Sequence, residues 1–425
     1  MSTSTRACSE RAGARPIVKI LMIAAAFPPM HSGEADHALQ LCRRLADHGL
    51  EVHVLTTKGN APAAGEPFTV HPIMRDWSWS DLPRLVTFLR RCAPDAVLLM
   101  YIGWIYNEHP MITFAPTLAK AMRPATAFVT LFENVEGARP DGASLPARAL
   151  RRGLALWWGP RRVDYGFGTL LHDSDRLIAM SDPHRTQLET LAPGVSAKTE
   201  LIPAPPLMTI DTTREGSLRA RGRETLGVHG GECVLVYLGR IYPAKGIETL
   251  LHAVQRVVSR GRQVRVVLVG GHIDRQNEEF TAAFGREITQ LPHELGIADR
   301  VTWTGEYAPD SDVPSTYLWA SDICVLPFNI GVLLNNSSFA AAAAHGVPII
   351  TTRGKVLEPP FRHRDNVYLC APKDPDELAA AIETLMDDPA LRHRLAWGAR
   401  ALAQEWFSWD QVVKRTVDTF APRLS

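Results

Sequence analysis

Leu235-Val236-Tyr237-Leu238-Gly239-Arg240-Ile241-Tyr242-Pro243-Ala244-Lys245-Gly246 is the stretch on which the fold turns. A short apolar run of strand length stops at Gly239, two cations follow, and a helical pattern begins at Gly246. Further on, Asn335-Asn336-Ser337-Ser338-Phe339 leads into five alanines and His345-Gly346-Val347-Pro348. This second stretch predicts a small-residue helix whose N-terminal amides can hold an anion, with Asn335 and Asn336 as caps. Gly239, Arg240 and Lys245 together with Asn335, Asn336, Ser337 and Ser338 read as a clamp for a diphosphate.

The same alternation extends outward from that segment. Before it, apolar runs at 19–26, 51–56, 96–100 and 125–131 read as strands, with a helical run at 35–48, and Glu200 to Ile202 gives one more short strand. After it come strands at 233–238, 264–269, 301–304, 323–326 and 348–351, with helices at 246–259, 277–295, 337–345, 375–386 and 389–407. Such alternation predicts parallel sheets with crossover helices. Pro203-Ala204-Pro205-Pro206 resists regular structure and serves as a hinge. The expected organisation is a disordered leader at 1–16, a Rossmann-like domain at 17–205, a second at 206–408, and a helix at 409–425 crossing back to the first. Two doubly wound α/β units then face each other across a cleft at the carboxyl ends of both sheets, where such folds bind ligands.

Composition excludes several classes. The 425 residues are 46% apolar and 21% charged, an ordinary globular mixture, and 46 basic against 45 acidic residues leave a net charge of +1. A nucleic-acid partner is not expected from that balance. Six scattered cysteines without a CxxC pair predict neither a zinc site nor a disulfide framework. The run 17–27 is read as a buried strand in preference to a signal peptide, because Lys19 interrupts it and Pro28-Pro29 follows. The chain is therefore expected in the cytoplasm.

These motifs together resemble the retaining two-domain glycosyltransferases of the GT-B fold, specifically glycosyltransferase family 4. The carriers are Phe27-Pro28-Pro29 with Gly33, Leu50 to Thr56, Ser174 to Ser181, Gly239-Arg240 with Lys245-Gly246, Val269-Gly270-Gly271, Val301 to Gly305, Ala320-Ser321-Asp322 with Leu326-Pro327, His345 to Pro348, and Phe407 to Asp410. The resemblance implies a nucleoside diphosphate sugar as donor, a hydroxyl acceptor in a glycolipid, polysaccharide or natural product, and transfer of a hexosyl unit with retention. It implies no protein nucleophile: the acceptor attacks the face the diphosphate vacates, and that diphosphate takes its proton. Two departures stand out. The family's paired glutamates before the Gly-x-Pro fall on Leu333 and Ala341 here, and its histidine after a Val-Thr-Leu strand is Phe132. The first departure keeps open a partner subunit that binds a nucleotide sugar without turning it over, and a related transferase with a cyclitol donor is the alternative among enzymes.

In the transfer chemistry Arg240 and Lys245 would neutralise the departing diphosphate; one such preorganised donor is worth about 2.7–4 kcal/mol of barrier. Glu133 and His109, each after an apolar run, are the acceptor-side candidates, and an ordinary loop role is as compatible with each. Gly33 would let the first-domain loop approach the diphosphate or acceptor, or simply turn the chain. Glu306 and Tyr307 follow a strand and could meet the nucleotide base, with Tyr307 stacking; a solvent-facing loop accounts for Glu306 equally well. His345 is expected to suit the helix dipole as a charged imidazole. No cofactor and no metal are expected. Residues 147–163, with Trp157 and Trp158 between arginines, fit either peripheral contact with the inner face of a membrane near a lipid-linked acceptor, or a helix with inward tryptophans.

Overall fold

The computed structural model describes residues 18–62, 64–135, 166–228, 230–271, 278–308 and 310–424. The expected leader at 1–16 and the segment 147–163 lie outside the described residues.

Two parallel sheets organise the chain. The first has seven strands in the order β3-β2-β1-β4-β5-β6-β7. They are β1 Lys19–Ile23, β2 Glu51–Thr57, β3 Thr69–Met74, β4 Ala96–Tyr101, β5 Ala127–Phe132, β6 Arg176–Ala179 and β7 Thr199–Leu201. The second has six in the order β10-β9-β8-β11-β12-β13: β8 Cys233–Leu238, β9 Val264–Val269, β10 Val301–Trp303, β11 Ile323–Leu326, β12 Ile349–Thr352 and β13 Tyr368–Cys370. Every residue of β4 and β5 is buried. Helices on both faces cover a parallel sheet, so its central strands read as unbroken apolar runs.

Edges are where the sequence reading fell short. β3 was not anticipated because Thr69-Val70-His71-Pro72-Ile73-Met74 carries a proline, which lacks a ladder N–H and is acceptable where one side of the strand is unpaired. In the second sheet the edge strand that went unread is β13, only Tyr368-Leu369-Cys370. The crossover helices follow their patterns more closely. In Ile247–Ser259 the residues Ile247, Leu250, Leu251, Val254 and Val257 are buried, the spacing of one helical face. The helix expected over 389–407 stops at Leu402 and continues as a wider turn through Phe407.

Each sheet reverses its winding once, between β1 and β4 and between β8 and β11, and the ligand loops open there. The last helix, Trp409–Leu424, packs on the first domain: Val412, Val413 and Phe420 belong to the same apolar core as Ile20, Met22, Val52, Leu98 and Val129. Trp409 Nε1 donates to the Pro206 carbonyl at 2.9 Å, which ties this helix to the crossover between domains.

Candidate functional site

A cleft of about 740 Å³ lies between the two sheets, lined from both domains. Its second-domain wall starts where β8 ends. Gly239 takes a φ of +135°, conformational space that side chains rarely enter, and its N–H still donates to the Val269 carbonyl at 2.9 Å. A Cβ at Gly239 would stand 2.8 Å from Ser338 Oγ, so two residues a hundred positions apart in the chain meet at the mouth of the sheet. Tyr237 OH donates to the Arg240 carbonyl at 2.7 Å, fixing the start of the cation loop. Asn329 holds its far side: Nδ2 donates to the Pro243 carbonyl at 2.6 Å and the backbone N–H to the Ala244 carbonyl at 2.9 Å.

Lys245 lies at 4.6 Å from the Phe328 ring centroid and 5.2 Å from that of Tyr242. The side chain is partly exposed, yet these rings strip water from the ammonium and pull its pKa down to about 8. The helix Ser337–Ala344 begins beside it. Asn336 occupies its N-cap position without a side-chain cap, because Asn336 Oδ1 instead accepts from the Leu333 N–H at 2.8 Å. The first-turn amides of this helix thus lack the cap partner that Asn would ordinarily supply. Asn335 Oδ1 is buried without a hydrogen-bond partner. Gly239, Arg240, Lys245, Glu306, Tyr307, Asn335, Asn336, Ser337 and Ser338 all line the one cleft. Leu333 lines it as well, whereas Ala341 is fully buried in the helix.

The first-domain wall holds Gly33, which opens the helix Gly33–Asp47 behind its N-cap Ser32. It is thus a helical residue and not a turn glycine, and an added Cβ would meet no atom within 4 Å. Glu133 lines the cleft and its Oε1 lies 2.5 Å from His37 Nδ1. The other acceptor-side candidate goes elsewhere: His109 is not part of the cleft. Its Nδ1 accepts from the Met111 N–H at 3.2 Å, capping a short turn, and its ring stands edge-on to Trp79 at 5.6 Å. Its backbone N–H donates to the Tyr106 carbonyl at 3.0 Å in the turn after β4, so following an apolar strand did not carry His109 into the cleft. His345 also departs from expectation. It is buried, burial lowers its pKa to about 4, and the neutral ring donates from Nδ1 to the Ala341 carbonyl at 2.7 Å and accepts from Ser315 at 2.9 Å. It closes a helix end as a hydrogen-bonding group, not as a charge.

Several cleft residues escaped the sequence reading. Glu34 and Asp36 stand in the first turn of the helix that Gly33 opens, His37 comes next, and His184 follows β6. A signal existed for His37: with Gln40 it interrupts the otherwise apolar buried face of its helix. For Glu358 there was none. This fully buried carboxylate lies outside the cleft and joins the two domains behind it.

Two facing parallel-sheet domains with loops from both switch points around a common cleft define the architecture as GT-B. Residues 32–205 match the family described as Glycosyltransferase Family 4 and residues 232–388 that described as Glycosyl transferases group 1; the chain belongs to this group of glycosyltransferases. It is 27% identical to D-inositol 3-phosphate glycosyltransferase 2 of Catenulispora acidiphila, across 95% of this chain and 94% of that protein. Among solved structures, sucrose-phosphate synthase from Thermosynechococcus elongatus superposes with a TM-score of 0.68 at 20% identity, covering 95% of this chain and 98% of that one. Anabaena HepE in complex with UDP and glucose superposes with a TM-score of 0.69 at 17% identity, covering 95% and 100%. Among the described residues no helix is long and apolar enough to cross a membrane.

Proposed function

We propose that the protein transfers a hexosyl unit from a nucleoside diphosphate sugar to a hydroxyl acceptor with retention of anomeric configuration. The observation that carries this reading is the meeting of Gly239 and Ser338, which sets a cation loop against the uncapped start of a helix at one point of the cleft. Arg240, Lys245 and the amides of Ser337 and Ser338 hold the diphosphate there, supplying fixed positive charge as the sugar–phosphate bond breaks. Asn335 Oδ1, buried without a partner, accepts from a hydroxyl of the donor. Tyr307, with Gly270 at its edge, packs against the nucleoside, and Glu306 meets its polar groups. The UDP complex of Anabaena HepE supports a nucleotide of this kind, and the name of the Catenulispora relative supports a polyol hydroxyl as acceptor.

Mechanistically, the acceptor hydroxyl attacks the anomeric carbon from the side the diphosphate leaves, and its proton passes to the departing phosphate oxygen. The carboxylate–imidazole pair of Glu133 and His37 orients that hydroxyl from the first-domain wall. Titration calorimetry with UDP, GDP, ADP and dTDP tests the reading, followed by release of the diphosphate from the matching sugar nucleotide. Tight binding of one diphosphate, weakened at least about tenfold by Arg240→Ala, is the expected result, corresponding to ~1.4 kcal/mol. Absence of binding to all four sinks it.

A further inference from the structure

The first-domain wall of the cleft gathers three carboxyl groups, of which Glu133 is paired with His37 while Glu34 and Asp36 have no ion-pair partner among the described residues of their own wall. Glu34 and Asp36 stand in the first turn of the helix Gly33–Asp47, and Glu133 follows β5. Among the described residues of this wall there is neither lysine nor arginine. The cation that both Glu34 and Asp36 feel is Arg240 of the opposite wall, which a bound diphosphate would engage. Burial pushes the Glu34 carboxyl above its usual range, with Glu133 adding to the effect, and pushes Asp36 up to about 6, relieved in part by Arg240 and His31.

Unused hydrogen-bonding capacity lies beside these acids. His37 is 3% exposed and its Nε2 is buried without a partner; His184 is 8% exposed and the same holds for its Nδ1. Both rings line the cleft. Burial holds the His184 pKa down near 4 against the pull of Glu133, so this ring is neutral and offers no compensating charge. A metal ion is a poor fit, since among the described residues no three His, Cys, Asp or Glu side chains gather closely enough to cage one.

We propose that the acceptor is an amine-bearing polyol whose ammonium group is held by Glu34 and Asp36 while its attacking hydroxyl meets the His37–Glu133 pair. An ammonium has three donors and no acceptor, matching carboxylates that only accept. A phosphate ester in the same place would face three carboxyl groups with neither lysine nor arginine among the described residues on their side. The inference rests on the glycosyl-transfer reading and names the acceptor for it. In the transfer, the bond from the anomeric carbon to the phosphate oxygen breaks and the bond to the acceptor oxygen forms. The hydroxyl proton leaves with the diphosphate, and the ammonium keeps its protons, so it has no lone pair to compete as nucleophile.

The test uses the full chain saturated with its nucleoside diphosphate and four probes: glucose, glucosamine, N-acetylglucosamine and glucose 6-phosphate. We expect glucosamine to bind at least tenfold more tightly than glucose or N-acetylglucosamine, and glucose 6-phosphate not to compete. Glu34→Gln and Asp36→Asn should shrink the glucosamine-to-glucose ratio at least threefold. Comparing ligands on the unaltered protein keeps the test independent of whether either variant folds. No preference for the amine, or a preference for the phosphate ester, overturns the proposal. Failure of the underlying reading would be seen earlier, as no uptake of any nucleoside diphosphate before a probe is added.

Discussion

Glu358 accepts the backbone N–H of Asp182 on one carboxylate oxygen at 2.6 Å, although Asp182 begins a helix of the first domain and Glu358 belongs to the second. Its other oxygen accepts the Leu334 N–H, also at 2.6 Å, two residues before the N-cap of the Ser337–Ala344 helix. The side chain is fully buried. One carboxylate therefore links the start of a first-domain helix to the loop that presents the candidate diphosphate amides.

Glu358→Ala orphans both N–H groups. Each buried donor left unmade costs about 1–3 kcal/mol, so a comparable loss per donor is expected in denaturant unfolding. A change under about 0.5 kcal/mol, the level of an ordinary surface substitution, would show that the link is incidental.

The same group sets a pH dependence. Burial raises its pKa from 4.5 to about 7 against the lowering effect of the two N–H donors. Between these values the folded protein holds a proton that the unfolded chain has released, so this group's contribution to stability falls as pH rises from 4.5 to 7. Glu358→Gln removes the proton and should flatten that part of the stability–pH curve. An unchanged slope assigns the dependence to other groups.

Lys245 makes a prediction of the same sign for ligand binding, at a higher pH. Its ammonium is fully charged only below about 8, so affinity for a nucleoside diphosphate should fall as pH rises through 8, and binding near that pH should take up a proton. Calorimetry in two buffers of different ionisation heat measures the uptake. Lys245→Arg, charged at all these pH values, should abolish it. Equal proton uptake by the two proteins rules Lys245 out as its source.

Gly239→Ala should block the site without touching a charged group. Its φ of +135° is strained for alanine and the new methyl would press on Ser338 Oγ at 2.8 Å. Backbone strain of this kind costs about 1–3 kcal/mol. A drop in melting temperature together with loss of diphosphate-induced stabilisation is expected; normal binding would mean that Gly239 and Ser338 do not form the site.

Phe420 tests the returning helix. It is fully buried in the first-domain core, and truncating such a phenylalanine costs about 3–5 kcal/mol. Hydrogen exchange of Phe420→Ala should show β4 and β5 losing protection while β8 and β9 keep theirs. Uniform loss would indicate that the two domains unfold as one unit.

Central strands were legible because a strand covered on both faces must be apolar throughout, as in Ala96–Tyr101 and Ala127–Phe132. Edge strands obey no such constraint, so Thr69–Met74 left no comparable trace. In the candidate site, Gly239, Arg240 and Lys245 could be read because they follow one strand within a few residues. His37 and Glu133, which are 96 positions apart, could not be paired from sequence, nor could His109 be recognised as turned away.

By itself the sequence determined the two parallel-sheet domains and the glycine-and-cation loop at the end of β8, since periodicity and local backbone freedom act over neighbouring residues. Tertiary structure alone decided that Ser338 meets Gly239, that Glu358 joins the domains, and that acids gather opposite Arg240. The first depends on how the second sheet winds and the others on how the two domains pack, and contacts between residues so distant in the chain are set by that packing and by no local pattern.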